Sequence, residues 1–211
     1  MRRLVHRVLC AASLLSLAGC NLFVPLAVVS EHKKKVSAEF DKLPGNRVAI
    51  LIWVDQATLF DYPHARFELS AYIEDKLAAE FAQRKFEIDL VDARDVEDYV
   101  QRDMDARIDP QTVGRRFKAD YVVFSEILRF QIRDADQPQL VQGRLDANVS
   151  IHEVRPKGDP PVKFALAPVE CAYPDAPVIL NASNSSLVRE GVYRLFSERV
   201  ARKFYDYTES Q

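Results

Sequence analysis

The chain has 211 residues, 48% of them hydrophobic and 28% charged, with a formal net charge of -2. These proportions suit one globular domain and exclude a low-complexity or disordered chain. The slight acidity excludes a surface built for nucleic acid, which needs a concentrated basic patch.

The amino terminus departs from that average. Arg2, Arg3 and Arg7 form a positive head, no charged residue occurs from Val8 to Val29, and Leu17-Ala18-Gly19-Cys20 lies within the apolar stretch. A basic head, an apolar run and small residues before a cut predict a secretory signal over residues 1–19. An uncleaved membrane span is the alternative, because about 20 apolar residues cross a bilayer. Pro25 and the placement of Gly19-Cys20 weigh against it. Loss of residues 1–19 leaves 26 basic and 31 acidic residues, a net charge of -5.

Leu17-Ala18-Gly19-Cys20 resembles the lipobox of bacterial lipoproteins. The resemblance implies cleavage before Cys20, a diacylglycerol thioether on Cys20 and acylation, such as palmitate, of its new amino group. Asn21 is not the aspartate that typically retains lipoproteins in the inner membrane. The same resemblance therefore implies the periplasmic face of the outer membrane. Cys10 leaves with the signal and Cys20 is occupied, so Cys171 has no partner for an intrachain disulfide. It reads as a small, partly buried apolar residue.

Residues 20–45 read as a lipid-anchored tether, with Pro44-Gly45 punctuating its end. Lys33-Lys34-Lys35 within it is either a solvated linker or a contact with anionic lipid. The domain, residues 46–211, opens with the apolar run Arg47–Val54, a strand covered on both faces. Asp61 and Pro63 start a helix whose stripe is Leu69, Ile73, Leu77 and Phe81. Phe86, Ile88 and Leu90 alternate as a second strand, and Asp92 starts a helix reaching about Met104. Asp109-Pro110 starts another, with Val113 and Phe117 on its buried side. Tyr121–Arg133 is a long strand, 134–140 a turn, and Leu145–His152 an alternating antiparallel strand. After a turn at 155–161, Val162, Phe164 and Leu166 form an edge strand limited by Pro168. The Pro-rich 174–177 stretch breaks the pattern. Ser183–Ser186 then caps a last helix with a stripe of Val188, Val192, Leu195, Val200, Phe204 and Tyr207. The order β-α-β-α-α-β-β-β-α predicts a single α/β domain with a mixed sheet of about five strands and helices packed on it.

Two stretches, Trp53-Val54-Asp55 after the opening strand and Val113-Gly114-Arg115-Arg116-Phe117-Lys118-Ala119-Asp120-Tyr121-Val122-Val123, carry a further resemblance. Together with the closing Ala201-Arg202-Lys203-Phe204-Tyr205, they are similar to a periplasmic α/β domain group. Its members are the curli secretion lipoprotein, the amino-terminal part of TolB and the penicillin-binding-protein activator lipoproteins. Residues 134–140 are too short for the pore hairpins of the curli protein, and no propeller pattern like that of TolB is present. The resemblance implies a bare domain that docks onto other envelope proteins.

No catalytic or metal constellation is legible. His32, His64 and His152 are widely separated, and His152 reads as solvent-exposed. Ser125 and Ser150 lack a nucleophile-elbow context. The acidic run Asp92, Asp95, Glu97, Asp98, Asp103, Asp105, Asp109 lacks the glycine and closing glutamate of a calcium loop, and reads as caps and a solvated face. The expectation is a non-enzymatic, lipid-anchored envelope protein without cofactor, accessory to a transport, secretion or cell-wall assembly machine. Two alternatives stay open: a small-ligand carrier with a pocket near Trp53, and a periplasmic hydrolase of unrecognised type.

Overall fold

A computed structural model describes residues 33–102, 109–133, 139–179, 181 and 184–210. The chain divides into a main body, Ser37–Tyr207, and a smaller unit of residues 1–36 with 208–211. In the smaller unit, β1 (Lys33–Val36) pairs with the last strand, β8 (Tyr207–Ser210). The lysine run expected as linker is therefore strand.

The predicted tether is too long at its carboxyl end. Phe40 and Leu43 are buried in the core of the main body. Glu39 fastens this segment: its Oε1 lies 2.9 Å from Lys203 Nζ, its Oε2 accepts the Ala167 N–H, and the Lys203 carbonyl accepts the N–H of both Glu39 and Phe40. Two apolar residues in a polar stretch carry too little periodicity to announce a core segment.

The interior strand β2 (Arg47–Trp53) is buried on both faces from Val48 to Ile52, as its unbroken apolar run requires. Asp55 then caps a short helix, α1 (Gln56–Asp61), by accepting the N–H and hydroxyl of Thr58. The sequence reading missed this helix and started the next at Asp61 and Pro63; that helix, α2 (Ala65–Gln83), begins after His64 without a side-chain cap and buries the predicted stripe of Leu69, Ile73, Leu77 and Phe81. Each such side chain contributes about 2 kcal/mol on burial, which the helix alone could not supply.

The second predicted strand shrinks to β3 (Asp89–Leu90). Phe86 donates its N–H to the Phe81 carbonyl at 2.9 Å and so closes the end of α2, leaving its side chain 48% exposed. Helix α3 (Ala93–Arg102) starts where Asp92 accepts the Arg94 N–H and Glu74 accepts the Ala93 N–H. Its predicted end near Met104 lies outside the described residues. Helix α4 (Pro110–Phe117) is capped by Asp109, as expected.

Strand β4 (Tyr121–Arg133) runs parallel to β2, and β5 (Leu140–Glu153) returns antiparallel to β4. The turn expected between them falls mostly on residues 134–138, outside those described. Strand β6 (Val162–Ala165) is followed by a strand the sequence reading missed, β7 (Val169–Ile179). Both pair with β5, at Ser150–Glu153 and Leu140–Ala147, and lie end to end along its far side. Pro174 and Pro177 had read as breakers, but both fall where the pairing with β5 is interrupted, between Gly143↔Tyr173 and Val141↔Val178, on an edge strand that tolerates residues without an N–H.

The sheet order is β3-β2-β4-β5-β6 with β7 beside β5, giving six strands where about five were expected. The last helix, α5 (Asn184–Ala201), continues into a 3-10 turn at Arg202–Phe204. It buries Val188, Val192, Tyr193, Phe196 and Val200, whereas the predicted Leu195 is only half-buried and Tyr207 belongs to β8. Strand alternation divides the core. Val48, Ile50, Ile52, Val123 and Leu145 face α2 and α5, while Ala49, Leu51 and Val122 face α3 and α4 through Val96, Val100 and Val113. Helix α5 sits close to the sheet because Gly143 of β5 leaves room for Val188 and Val192.

The architecture is thus a mixed α/β fold, a mixed sheet with five helices among the described residues packed on it.

Candidate functional site

The sequence-predicted positions do not converge. Cys20, His32, Asp103 and Asp105 lie outside the described residues. Cys171 is 4% exposed on β7, and burial pushes its thiol up to about 11, so it is an inert core residue. Trp53 ends β2 half-buried and lines neither of the two clefts described below. Glu97 of the acidic run is not on a solvated face. It is 9% exposed and forks with Arg66, at 2.6 and 2.7 Å, tying α3 to α2. No group of three or more metal-ligating side chains gathers among the described residues.

His152 was expected in solvent but is half-buried on β5, with its ring edge-on to Phe124. Burial, then the Lys163 charge, brings its pKa down to about 4. Ser150 Oγ lies 3.1 Å from His152 Nε2, within the reach of a nucleophile and its base. The pair lacks the rest of that machinery. Ser150 is 5% exposed, neither cleft reaches it, and an imidazole held neutral down to about pH 4 is a weak proton acceptor. Residues two apart on a strand share a face, which alone brings these two together. Ser125 is buried on the opposite side of the sheet with its hydroxyl unpartnered, and no base lies beside it among the described residues.

Two open clefts lie among the described residues. One, of about 500 Å³, lies along β5 and β7 and is lined by Arg129, Arg144, Asp146, Glu170 and Arg199 among others. Among the described residues its lining holds three arginines with Asp146, Glu170 and Asp175; Arg129 pairs with Asp146 at 3.0 Å, and Arg199 donates to the Glu170 main-chain carbonyl.

The other, of about 480 Å³, lies at the carboxyl end of β4, where α1 and the first turns of α5 meet it. Asp61 and Tyr62 come from α1 and its cap, Ile132 and Arg133 from β4, and Ser185, Ser186 and Arg189 from α5. An aromatic row backs it: Tyr62 on Phe130 at 4.7 Å, Phe130 on Tyr193 at 5.5 Å, and Tyr193 on Tyr72 at 5.7 Å. Burial raises the Tyr62 and Tyr193 phenols, so both stay neutral. Neither Arg133 nor Arg189 has an ion-pair or hydrogen-bond partner among the described residues, and Ser185 Oγ is buried and unpartnered.

Three large apolar side chains are exposed on segments that supply or adjoin this lining. Phe60, beside Asp61, is 85% exposed; Leu187, beside Ser186, is 59% exposed; Ile179, whose carbonyl accepts from Asn184 at 2.8 Å, is 75% exposed. Sequence reasoning placed ligand chemistry at the strand ends but at Trp53, not here. Isolated arginines on different elements give no local signal until the fold assembles them.

No family model and no curated protein matches the chain. Similar solved structures include a PelC dodecamer from Paraburkholderia phytofirmans, at 11% identity and TM-score 0.36, covering 82% of this chain and 98% of that one. The hypothetical protein CT253 from Chlamydia trachomatis shares 15% identity at TM-score 0.40, covering 74% of this chain and 96% of its own. Lipoprotein GNA1162 from Neisseria meningitidis shares 12% identity at TM-score 0.39, covering 72% and 98% respectively. Likeness at this level does not assign a function. No helix among the described residues is long and apolar enough to cross a membrane.

Proposed function

We propose that the chain is a non-enzymatic lipoprotein of the bacterial envelope, held by lipid on Cys20 at the periplasmic face of the outer membrane. Its main body docks a protein partner belonging to a transport, secretion or cell-wall assembly machine. The lipobox-like Leu17-Ala18-Gly19-Cys20 and Asn21 support the anchor and its destination. One observation carries the docking role: an open cleft of about 480 Å³ is lined by Asp61 and Ser186, whose chain neighbours Phe60 and Leu187 are 85% and 59% exposed. Single exposed apolar residues are ordinary, whereas large ones on the same segments as a concavity favour an interaction surface.

The test is a photo-crosslinking residue placed at Phe60 or Leu187 in living cells, with Lys157 on the 155–161 turn as control. A discrete protein adduct from the first two positions and none from the third is expected. Equal adduct patterns from all three would remove the docking surface.

A further inference from the structure

We infer that the main body hangs from the membrane by the end that carries Glu39 and Phe40, and turns the cleft at the end of β4 towards the periplasm. The docked partner is then a water-exposed, partly apolar protein surface, and neither lipid nor a membrane-embedded segment. The inference rests on the reading of Cys20 as the anchor and of the cleft as the docking site.

The segment that enters the body is fastened at one end of two long elements. The carbonyl of Lys203, just past α5, accepts the N–H of Glu39 and of Phe40, and Lys203 Nζ lies 2.9 Å from Glu39 Oε1. The Phe40 ring packs on Tyr121, the first residue of β4, at 5.4 Å. The cleft lies at the other end of both elements. Ile132 and Arg133 are the last residues of β4, and Ser185, Ser186 and Arg189 belong to the first turns of α5. At about 3.3 Å per residue, β4 separates Tyr121 from Ile132 by roughly 35 Å. At about 1.5 Å per residue, the helix puts roughly 25 Å between Ser186 and Lys203.

The length of the tether decides what that separation means. Seventeen links join Cys20 to Ser37. Fully drawn out they reach roughly 60 Å, whereas an unstretched chain of that length spans only about 20–25 Å. Seating the cleft on the bilayer would lift the Glu39 end by roughly 35 Å and hold the tether taut, at a loss of chain entropy. The lining, mostly charged and hydroxyl side chains, offers acyl chains no apolar seat. Hanging by the Glu39 end leaves the tether slack and the cleft in water. Phe60 and Leu187, exposed on segments that supply the lining, then suit a protein surface. Full extension also bounds the partner, whose docking surface lies within roughly 95 Å of the bilayer.

The test places a fluorophore on Asp41→Cys, beside the fastened segment, or on Leu187→Cys, beside the cleft, in the processed chain reconstituted in vesicles with acceptor-labelled headgroups. The buried Cys171 thiol should stay unlabelled in the folded chain. Energy transfer should be about threefold or more stronger from Asp41→Cys than from Leu187→Cys, given the separation along β4. Equal transfer, or stronger transfer from Leu187→Cys, would overturn the inference while sedimentation with the vesicles still upholds the anchor. A chain that does not sediment with vesicles refutes the anchor, and the inference falls with it. In cells, a photo-crosslinker at Leu187 should give adducts that map to a water-exposed region of one partner protein. Adducts with phospholipid or with a membrane-embedded segment would overturn the choice of partner, and absence of any adduct would remove the docking site and the inference together.

Discussion

Replacing Phe196 by alanine probes how α5 is held. Phe196 is 0% exposed, beside the half-buried Leu195, so the two neighbours separate core packing from rim packing. Removing a fully buried phenylalanine costs about 3–5 kcal/mol, from lost transfer energy and the cavity left behind. Leu195→Ala removes a side chain that keeps part of its surface in water, and should cost about 1 kcal/mol. For a domain of this size each kcal/mol lowers the melting midpoint by about 2–4 °C. Phe196→Ala should therefore melt roughly 10 °C lower, and Leu195→Ala only a few degrees. Circular dichroism melts of the full chain in non-ionic detergent read the difference directly. Equal shifts, or a larger one for Leu195, would show that α5 is not seated on the sheet as described.

Other perturbations follow from named contacts. Glu39→Ala should cost about 2 kcal/mol in urea titrations, because it strands the 7%-exposed Lys203 ammonium; Lys203→Met in the same chain should restore most of the loss. The figure is discounted because Glu39 is itself 37% exposed. His152 has a folded pKa of about 4 against 6.5 when unfolded, so the unfolded chain binds the extra proton first. Stability is then complete above pH 6.5 and falls as pH drops towards 4, by about 1–2 kcal/mol after discounting for partial exposure; His152→Gln should flatten that slope in pH-dependent melts. Cys171, with its thiol raised to about 11, should resist maleimide in the folded chain at pH 7.5 and react fully in urea. Gly143→Ala should destabilise, since its Cβ would collide with Val192 and approach Val188 to 3.1 Å.

Most of the fold was legible where one period dominated. The doubly covered β2, the Leu69–Phe81 stripe, the Asp109-Pro110 start and the full length of β4 came through because apolar spacing and cap chemistry agree there. Strand β7 was missed because its prolines are accommodated by an edge position and an interruption of the pairing with β5, both tertiary facts. Phe40 and Leu43 were missed because Lys203 and Ala167, distant in sequence, hold their segment. The α5 stripe was misread at Leu195 because consecutive positions 195 and 196 both carry apolar residues, and only packing decides between them. The cleft was not legible. Its two arginines and two serines come from β4 and α5, with Asp61 and Tyr62 from α1 and its cap, and share no spacing.

The central claim, that Cys20 fixes the chain to the membrane by lipid, is tested most directly by labelling cells with a palmitate analogue. The parent chain should be labelled and processed, while Cys20→Ala should remain an unlabelled precursor. A Cys20→Ala chain processed and labelled like the parent would contradict the account.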